Sequence, residues 1–211
     1  TDIRMMYNPE LKGAYSFVPG VMALILMLTS AMMTSIAIVK EKEMGTMEII
    51  LVSPLRPFSV VIAKAIPYMI LSMVNVATIL LLSVYVLDVP IRGSLLLLLS
   101  EGLLFTITSL ALGLLISSIT DSQQVAMLIS LMGLFLPTTV LSGYMFPIEN
   151  MPLPLQVMSN LVPAKWFYSI VKTIMIKGLG LSYVWKETLI LIGMTVLLFG
   201  LSIKKFKTRL S

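Results

Sequence analysis

Cysteine and histidine are both absent from the 211 residues. Their absence excludes disulfides, thiolate chemistry, zinc sites built on imidazole, and any triad with a histidine base. Charge is scarce too: Asp, Glu, Lys and Arg make up 12% of the chain, where soluble domains carry roughly 25%. No GxxxxGK[ST] run occurs, so the chain has no phosphate-binding loop of its own. No basic run carries the interleaved aromatics that nucleic-acid binding would need, and no cluster of ligating residues suggests a metal. The chain starts at Thr1 with neither an initiator methionine nor a signal-peptide pattern, which predicts that it continues a longer protein.

What remains is mostly hydrocarbon. Apolar residues are 58% of the sequence and the mean hydropathy is +1.01. With no water to satisfy the backbone inside a bilayer, such a chain is expected to be an all-α integral membrane protein. Runs of near-bilayer length fall at about 17–39, 59–87, 94–119, 124–142 and 187–203. Residues 1–16 form a polar approach segment, with Tyr7 and Tyr15 suited to headgroup level. Residues 143–186 carry several prolines and short apolar pieces, as a re-entrant or interfacial segment would. Trp166, Phe167, Tyr168, Tyr183 and Trp185 there would form an aromatic belt. The tail 204–211 is basic and suits an anionic leaflet. Five spans put the two ends on opposite sides. The density of lysine and arginine then places the tail and the 40–64 stretch in the cytoplasm.

Polar residues inside the spans have two readings each. Thr29, Ser30, Thr34 and Ser35 suit close helix packing, or bond their own backbone. Asn75 needs a partner near mid-membrane, which is either another helix or a substrate. Glu101 is a functional candidate by default; its alternatives are headgroup water or Arg92. Asp121 and Ser122 are good N-caps for the fourth span, which Gly133 and Pro137 should bend.

The densest charge lies in KEKEMGTMEIILVSPLRP, from Lys40 to Pro57. On a wheel of about 100° per residue, Met44, Met47, Ile50 and Leu51 share a face opposite Glu41, Gly45 and Glu48. Pro54 and Pro57 then stop the helix. A short amphipathic helix over 41–53 would either dock on a partner or merely join two spans along the surface.

This stretch resembles the cytoplasmic segment of type-2 ABC exporter permeases, through Glu41, Lys42, Glu43, Gly45, Thr46, Glu48, Leu51, Ser53 and Pro54. A second match, PTTVLSGYMFPIENMPLPLQVMSNLVPAKWFYSIVKTIMIKG, is similar to the family's segment after the fifth span. It includes Ser142, Gly143, Tyr144, Phe146, Pro147, Ile148, Met151, Pro152, Pro163, Lys165, Trp166, Phe167, Lys177 and Gly178. The resemblance implies six spans, the first preceding Thr1 together with any extracellular domain. It makes 41–53 a coupling helix seated on an ATPase, with Glu41, Glu43, Gly45, Thr46, Glu48, Ser53 and Pro54 as coupling residues. It makes the segment around Ser142, Gly143, Phe146, Pro147, Met151, Pro152, Pro163 and Trp166 an extracellular cap. The first two spans would line the pathway, with Thr34, Asn75 and Thr78 as contact candidates beside Glu101. The implied partners are a separate ABC ATPase holding the ATP and Mg, a second permease subunit (identical or paralogous), membrane lipids and a periplasmic adaptor. No cofactor or catalysis is implied on this chain. The expected setting is the bacterial inner membrane, and the expected cargo an amphipathic compound, drug or lipid moved outward. The competing function is an ATP-independent secondary transporter or channel subunit, which inverted repeats would favour.

Overall fold

In a computed structural model, the described residues are 13–45 and 57–208, with no side-chain description at 57–62, 64 or 206–208. Every regular element among them is helical. Helix α1 runs Ala14–Glu43, α2 Pro57–Tyr85 and α3 Leu95–Ile119. Helix α4 (Gln123–Ser130) passes through a π turn (Leu131–Phe135) into α5 (Leu136–Leu141). A 3-10 turn (Ile148–Asn150) leads to α6 (Leu153–Ser159) and α7 (Pro163–Val171). A second π turn (Lys172–Ile176) precedes the last helix, α8 (Leu181–Thr208). Five helical stretches are long and apolar enough to cross a membrane: Ala14–Glu43, Ala65–Tyr85, Leu95–Ile119, Gln123–Leu141 and Leu181–Lys205. The protein is an all-α, multi-pass membrane protein.

The helix ends follow local chemistry rather than the apolar runs. Helix α1 continues through Lys40–Glu43 because nothing there breaks a helix and Lys40 and Lys42 complement its C-terminal dipole. Gly45, at φ +68°, ends it in the left-handed cap conformation that glycine tolerates. Glu41 and Glu43 therefore sit on the last turn of the first span, not on a separate helix over 41–53. The last span likewise extends beyond 187–203, to Leu181–Lys205, because Lys186 limits hydrophobicity but not helicity. The non-spanning segment accordingly ends near Gly180, not at 186. In the fourth span, Pro137 cannot donate to the carbonyl of Gly133, and the structure absorbs that gap as the first π turn.

Helix α1 occupies the centre and packs on α2, α3 and α4. Its small polar residues divide between the two expected behaviours. Ser30 bonds Ser72 of α2 at 2.7 Å, and Ser35 bonds Ser130 of α4 at 3.1 Å. Thr29, in contrast, donates to its own backbone at Ile25. Where α1 meets α3 the backbones nearly touch: a Cβ on Gly113 would lie 2.4 Å from the carbonyl oxygen of Ala31. Small residues permit such an approach, and in lipid that packing is a main source of helix association.

Helices α3 and α8 run parallel and are tied by hydrogen bonds at three levels. Thr188 donates to Glu101 at 2.8 Å, Thr108 and Thr195 share a hydrogen bond at 2.6 Å, and Ser202 reaches the Ala111 carbonyl at 3.4 Å. The first two contacts are seven residues apart on both helices, an interval that keeps one seam facing the partner helix.

The segment after the fourth span is not peripheral. Phe167 of α7 is fully buried and stacks on Phe105 of α3, with ring centroids 4.1 Å apart and planes 3° from parallel. Ile170, Val171, Ile174 and Met175 are also fully buried. The aromatic belt expected there is thus divided: Phe167 and Tyr168 are core, Trp166 is half-buried, and Tyr183 and Trp185 are exposed.

Candidate functional site

The charged stretch enters the described structure only as far as Gly45. Thr46, Glu48, Ser53 and Pro54 lie outside the described residues. What precedes them has a definite arrangement. Helix α3 ends at Ile119 and α4 begins at Gln123, so a carbonyl-rich helix end and an amide-rich one lie side by side. Two consecutive residues of α1 serve one each. The Lys42 ammonium donates to the carbonyl oxygen of Ser117 and, at 3.3 Å, to that of Thr120. The Glu43 carboxylate accepts the Gln123 backbone N–H at 2.7 Å, and its second oxygen accepts from the Gln123 side-chain amide.

Each charge meets the helix end of opposite polarity. Ser122 holds the N-cap position of α4, but its side chain makes no capping bond there; Glu43, from another helix, fills that role. The turn joining the third and fourth spans is therefore fastened to the residues leading directly into the charged stretch. Sequence reasoning marked Glu43 but not this use of it, because the acceptor and its amide are 80 positions apart.

The four pathway candidates sit on three helices, Thr34 on α1, Asn75 and Thr78 on α2 and Glu101 on α3. Thr34 is buried on α1 with its hydroxyl unpartnered. Asn75 is half-buried on α2, and Thr78 is exposed, with its hydroxyl bonded to the Val74 carbonyl. Glu101 is buried on the α3–α8 seam, where Thr188 occupies one carboxyl oxygen and the other has no partner. Its neighbour is thus a threonine of the last span, not Arg92. The one partner is a neutral hydroxyl, so this contact does not depend on a charge at position 101. Glu101→Gln is therefore expected to leave helix packing and thermal stability within about 1 kcal/mol of the parent, as read by unfolding in detergent. Glu101→Lys, which adds a buried cation, should sharply reduce the folded yield.

At the opposite end of the bundle, the residues of the second motif form a compact turn. Gly143 adopts φ +88° and swings Tyr144 back onto α1, where a Cβ on Gly20 would meet the Tyr144 ring at 2.3 Å. Ser142 is buried with an unpartnered hydroxyl. Pro147 and Pro152 precede the 3-10 turn and α6, and Pro163 opens α7 at the position where a missing N–H costs least. Met151 is half-buried and Phe146 exposed. The Trp166 indole donates to the Asn160 carbonyl at 3.0 Å, closing the α6–α7 corner. Lys165 bonds Ser159 and Asn160, and burial lowers its pKa from the ordinary lysine value.

Residues 1–204 match a family model described as ABC-2 family transporter protein. The probable multidrug ABC transporter permease YbhS of Escherichia coli K12 is 35% identical over 207 residues, which cover 98% of this chain and 55% of that protein. YbhR of the same organism, described in the same words, is 34% identical over 185 residues, 88% of this chain and 50% of that protein. ABC transporter G family member 20 of Dictyostelium discoideum is 28% identical over 198 residues, 93% of this chain and 27% of that protein. The chain spans about half the length of its bacterial relatives. From the match along nearly its whole length, the chain belongs to the ABC-2 family of transporter proteins, as part of a membrane-spanning permease.

Proposed function

We propose that this chain is the membrane-crossing part of an ATP-driven exporter, powered by an ATPase on a separate chain that docks at the 40–54 stretch. The observation that carries this reading is the fastening of Lys42 and Glu43 to the turn between α3 and α4. A push on the charged stretch would reach α1 through the continuous helix. It would reach α3 and α4 through these two side chains. Three of the five spans would then receive the displacement at once. ATP and Mg would be held by the partner, and the coupling contact would be made by the stretch containing Thr46, Glu48, Ser53 and Pro54.

A second permease subunit, identical or paralogous, would complete the pathway. The end bearing Lys42 and the basic tail would face the cytoplasm, and the Ser142–Gly178 segment the outer side of a bacterial inner membrane. The relatives named as multidrug permeases favour a drug or other amphipathic compound as cargo, with lipid as the alternative.

The absence of cysteine makes the test direct. Single cysteines at Met44, Gly45 and Glu48 in the full-length protein, co-expressed with the ATPase encoded beside it, should crosslink to that ATPase through a short reagent. Yields should change when ATP is bound. Free labelling of all three positions from the cytoplasm, with no crosslink formed, would remove the docking role. The unpartnered oxygen of Glu101 is the one feature that favours ATP-independent, proton-coupled transport. That alternative requires Glu101→Gln to abolish transport while the protein stays folded. The ATP-driven reading expects transport to persist.

A further inference from the structure

A cavity of about 560 Å3 opens beside the Gly143 turn, between the start of α1 and the face of α7 with its π turn. Its lining is rich in cations and hydroxyls: Lys165, Lys172 and Lys177 stand with Ser142 and Tyr168 against a single carboxylate, Glu149. Lys165 and Lys172 lie two helical turns apart and so share a face of α7. An uninterrupted α-helix would carry residue 177 well round from that face. The π turn instead closes a bond from the Lys177 N–H to the Lys172 carbonyl, five residues back at 3.4 Å, and returns the third lysine to the cavity wall. π turns of this kind are frequent where a helix has been adapted to hold a ligand.

Among the described residues, no carboxylate forms an ion pair with any of the three ammonium groups. Lys165 is held by the neutral oxygens of Ser159 and Asn160, and Lys172 lies 3.5 Å from the Tyr168 hydroxyl. Three ammonium groups against one carboxylate leave the cavity wall with an excess of positive charge. The second observation is independent of charge. Ser142 lines the same cavity, is 1% exposed, and has a hydroxyl with no hydrogen-bond partner. Buried polar groups are rarely left so unless a ligand or water completes them. Lysines with a hydroxyl donor are a recurrent arrangement for phosphate oxygens. Leu153, Val157 and Leu161, on and just after α6, are strongly exposed, as groups facing acyl chains would be.

We infer that this cavity is a binding site for the phosphate of an anionic glycerophospholipid, seated on Lys172, Lys177 and Ser142. Lys165 lines the same cavity two turns earlier on α7. The site is independent of whether the transporter is driven by ATP, so it can fail or stand apart from the exporter reading.

The test uses the full-length protein in nanodiscs of phosphatidylcholine doped with phosphatidylglycerol, with bound lipid counted by native mass spectrometry. The parent should retain phosphatidylglycerol selectively. Lys172→Gln combined with Lys177→Gln should weaken that retention about tenfold or more, and Ser142→Ala about threefold. Lys186→Gln, outside the cavity, should leave retention unchanged. A folded double variant that retains phosphatidylglycerol like the parent overturns the inference.

Amine-reactive labelling of the unmutated protein covers the case in which the variants misfold. Phosphatidylglycerol, but not phosphatidylcholine, should protect Lys172 and Lys177. Equal labelling in both lipids overturns the inference. Protection by inorganic phosphate alone, with no further protection from phosphatidylglycerol, would assign the site to a soluble phosphate and overturn the lipid assignment.

Discussion

Gly113→Val is expected to remove most of the folded protein from the membrane. A Cβ at this position would lie 2.4 Å from the Ala31 carbonyl oxygen and 3.0 Å from the Ala31 Cα. Both atoms belong to the backbone of α1, so no rotamer change relieves the contact. The two helices must separate, and α1 carries with it the bonds of Ser30 to α2 and Ser35 to α4. Overpacking in a close-packed interior costs about 1–3 kcal/mol where side chains can adjust. Here they cannot, and a loss of about 3 kcal/mol or more is expected. The measurement is the monodisperse fraction and thermal midpoint in detergent. A paired test identifies the cause. Ala31→Gly should not rescue Gly113→Val, because the obstacle is the carbonyl and not the alanine methyl. Rescue by that change would show that the helices touch through side chains after all.

The second large effect is functional. Exchanging the two charges (Lys42→Glu with Glu43→Lys) should reduce export more than about tenfold while the protein remains inserted. Each single reversal should do nearly the same. Ordinary salt-bridge logic predicts that a swapped pair regains activity. These two residues do not serve each other, however. Lys42 serves the carbonyls that end α3, and Glu43 the amides that begin α4. After the exchange, an anion faces carbonyls and a cation faces amides, so both contacts are repulsive. Glu43→Gln should retain much of the activity, since its amide oxygen still accepts from Gln123. Export by full-length variants at matched membrane abundance is the readout. Parental export by the exchanged pair would show that the fastening transmits nothing.

The broad architecture was legible because hydrophobic length is a strong signal. Five apolar runs gave five spans, and the proline-broken run gave the short helices α6 and α7. Errors gathered where a helix and an apolar run differ in extent. Lys186 shortened the last span on paper, and residues 41–43 were assigned to a separate helix. In neither case does charge interrupt the backbone. Gly45 does, and its positive φ cannot be told from composition alone.

Contacts between distant positions were the least legible. Glu101 was visible as an intramembrane carboxylate, but nothing near it in sequence points to Thr188. Lys165 and Lys177 were visible as members of the second motif, with nothing to join them to Lys172. Only the π turn brings Lys177 into line with Lys172, and no residue pattern announced it. Phe167 was read as an interfacial anchor because an aromatic cluster beside lysines usually is one. Its burial against Phe105 depends on the close fit of α7 into the bundle.

That fit bears on how an outer face could open. A door needs a hinge and a seam that separates cheaply, and α7 offers neither. To swing out alone, it would have to unstack Phe167 from Phe105 and withdraw Ile170, Val171, Ile174 and Met175 from full contact. It would also break the backbone bond from Arg92 to Met175. The segment would therefore travel with α1 and α3 as a single rigid lever whose other arm ends at Lys42 and Glu43. Leverage of that kind makes stiffness the property under selection. A substitution that merely softened the middle of the bundle would leave both ends intact and still disconnect them.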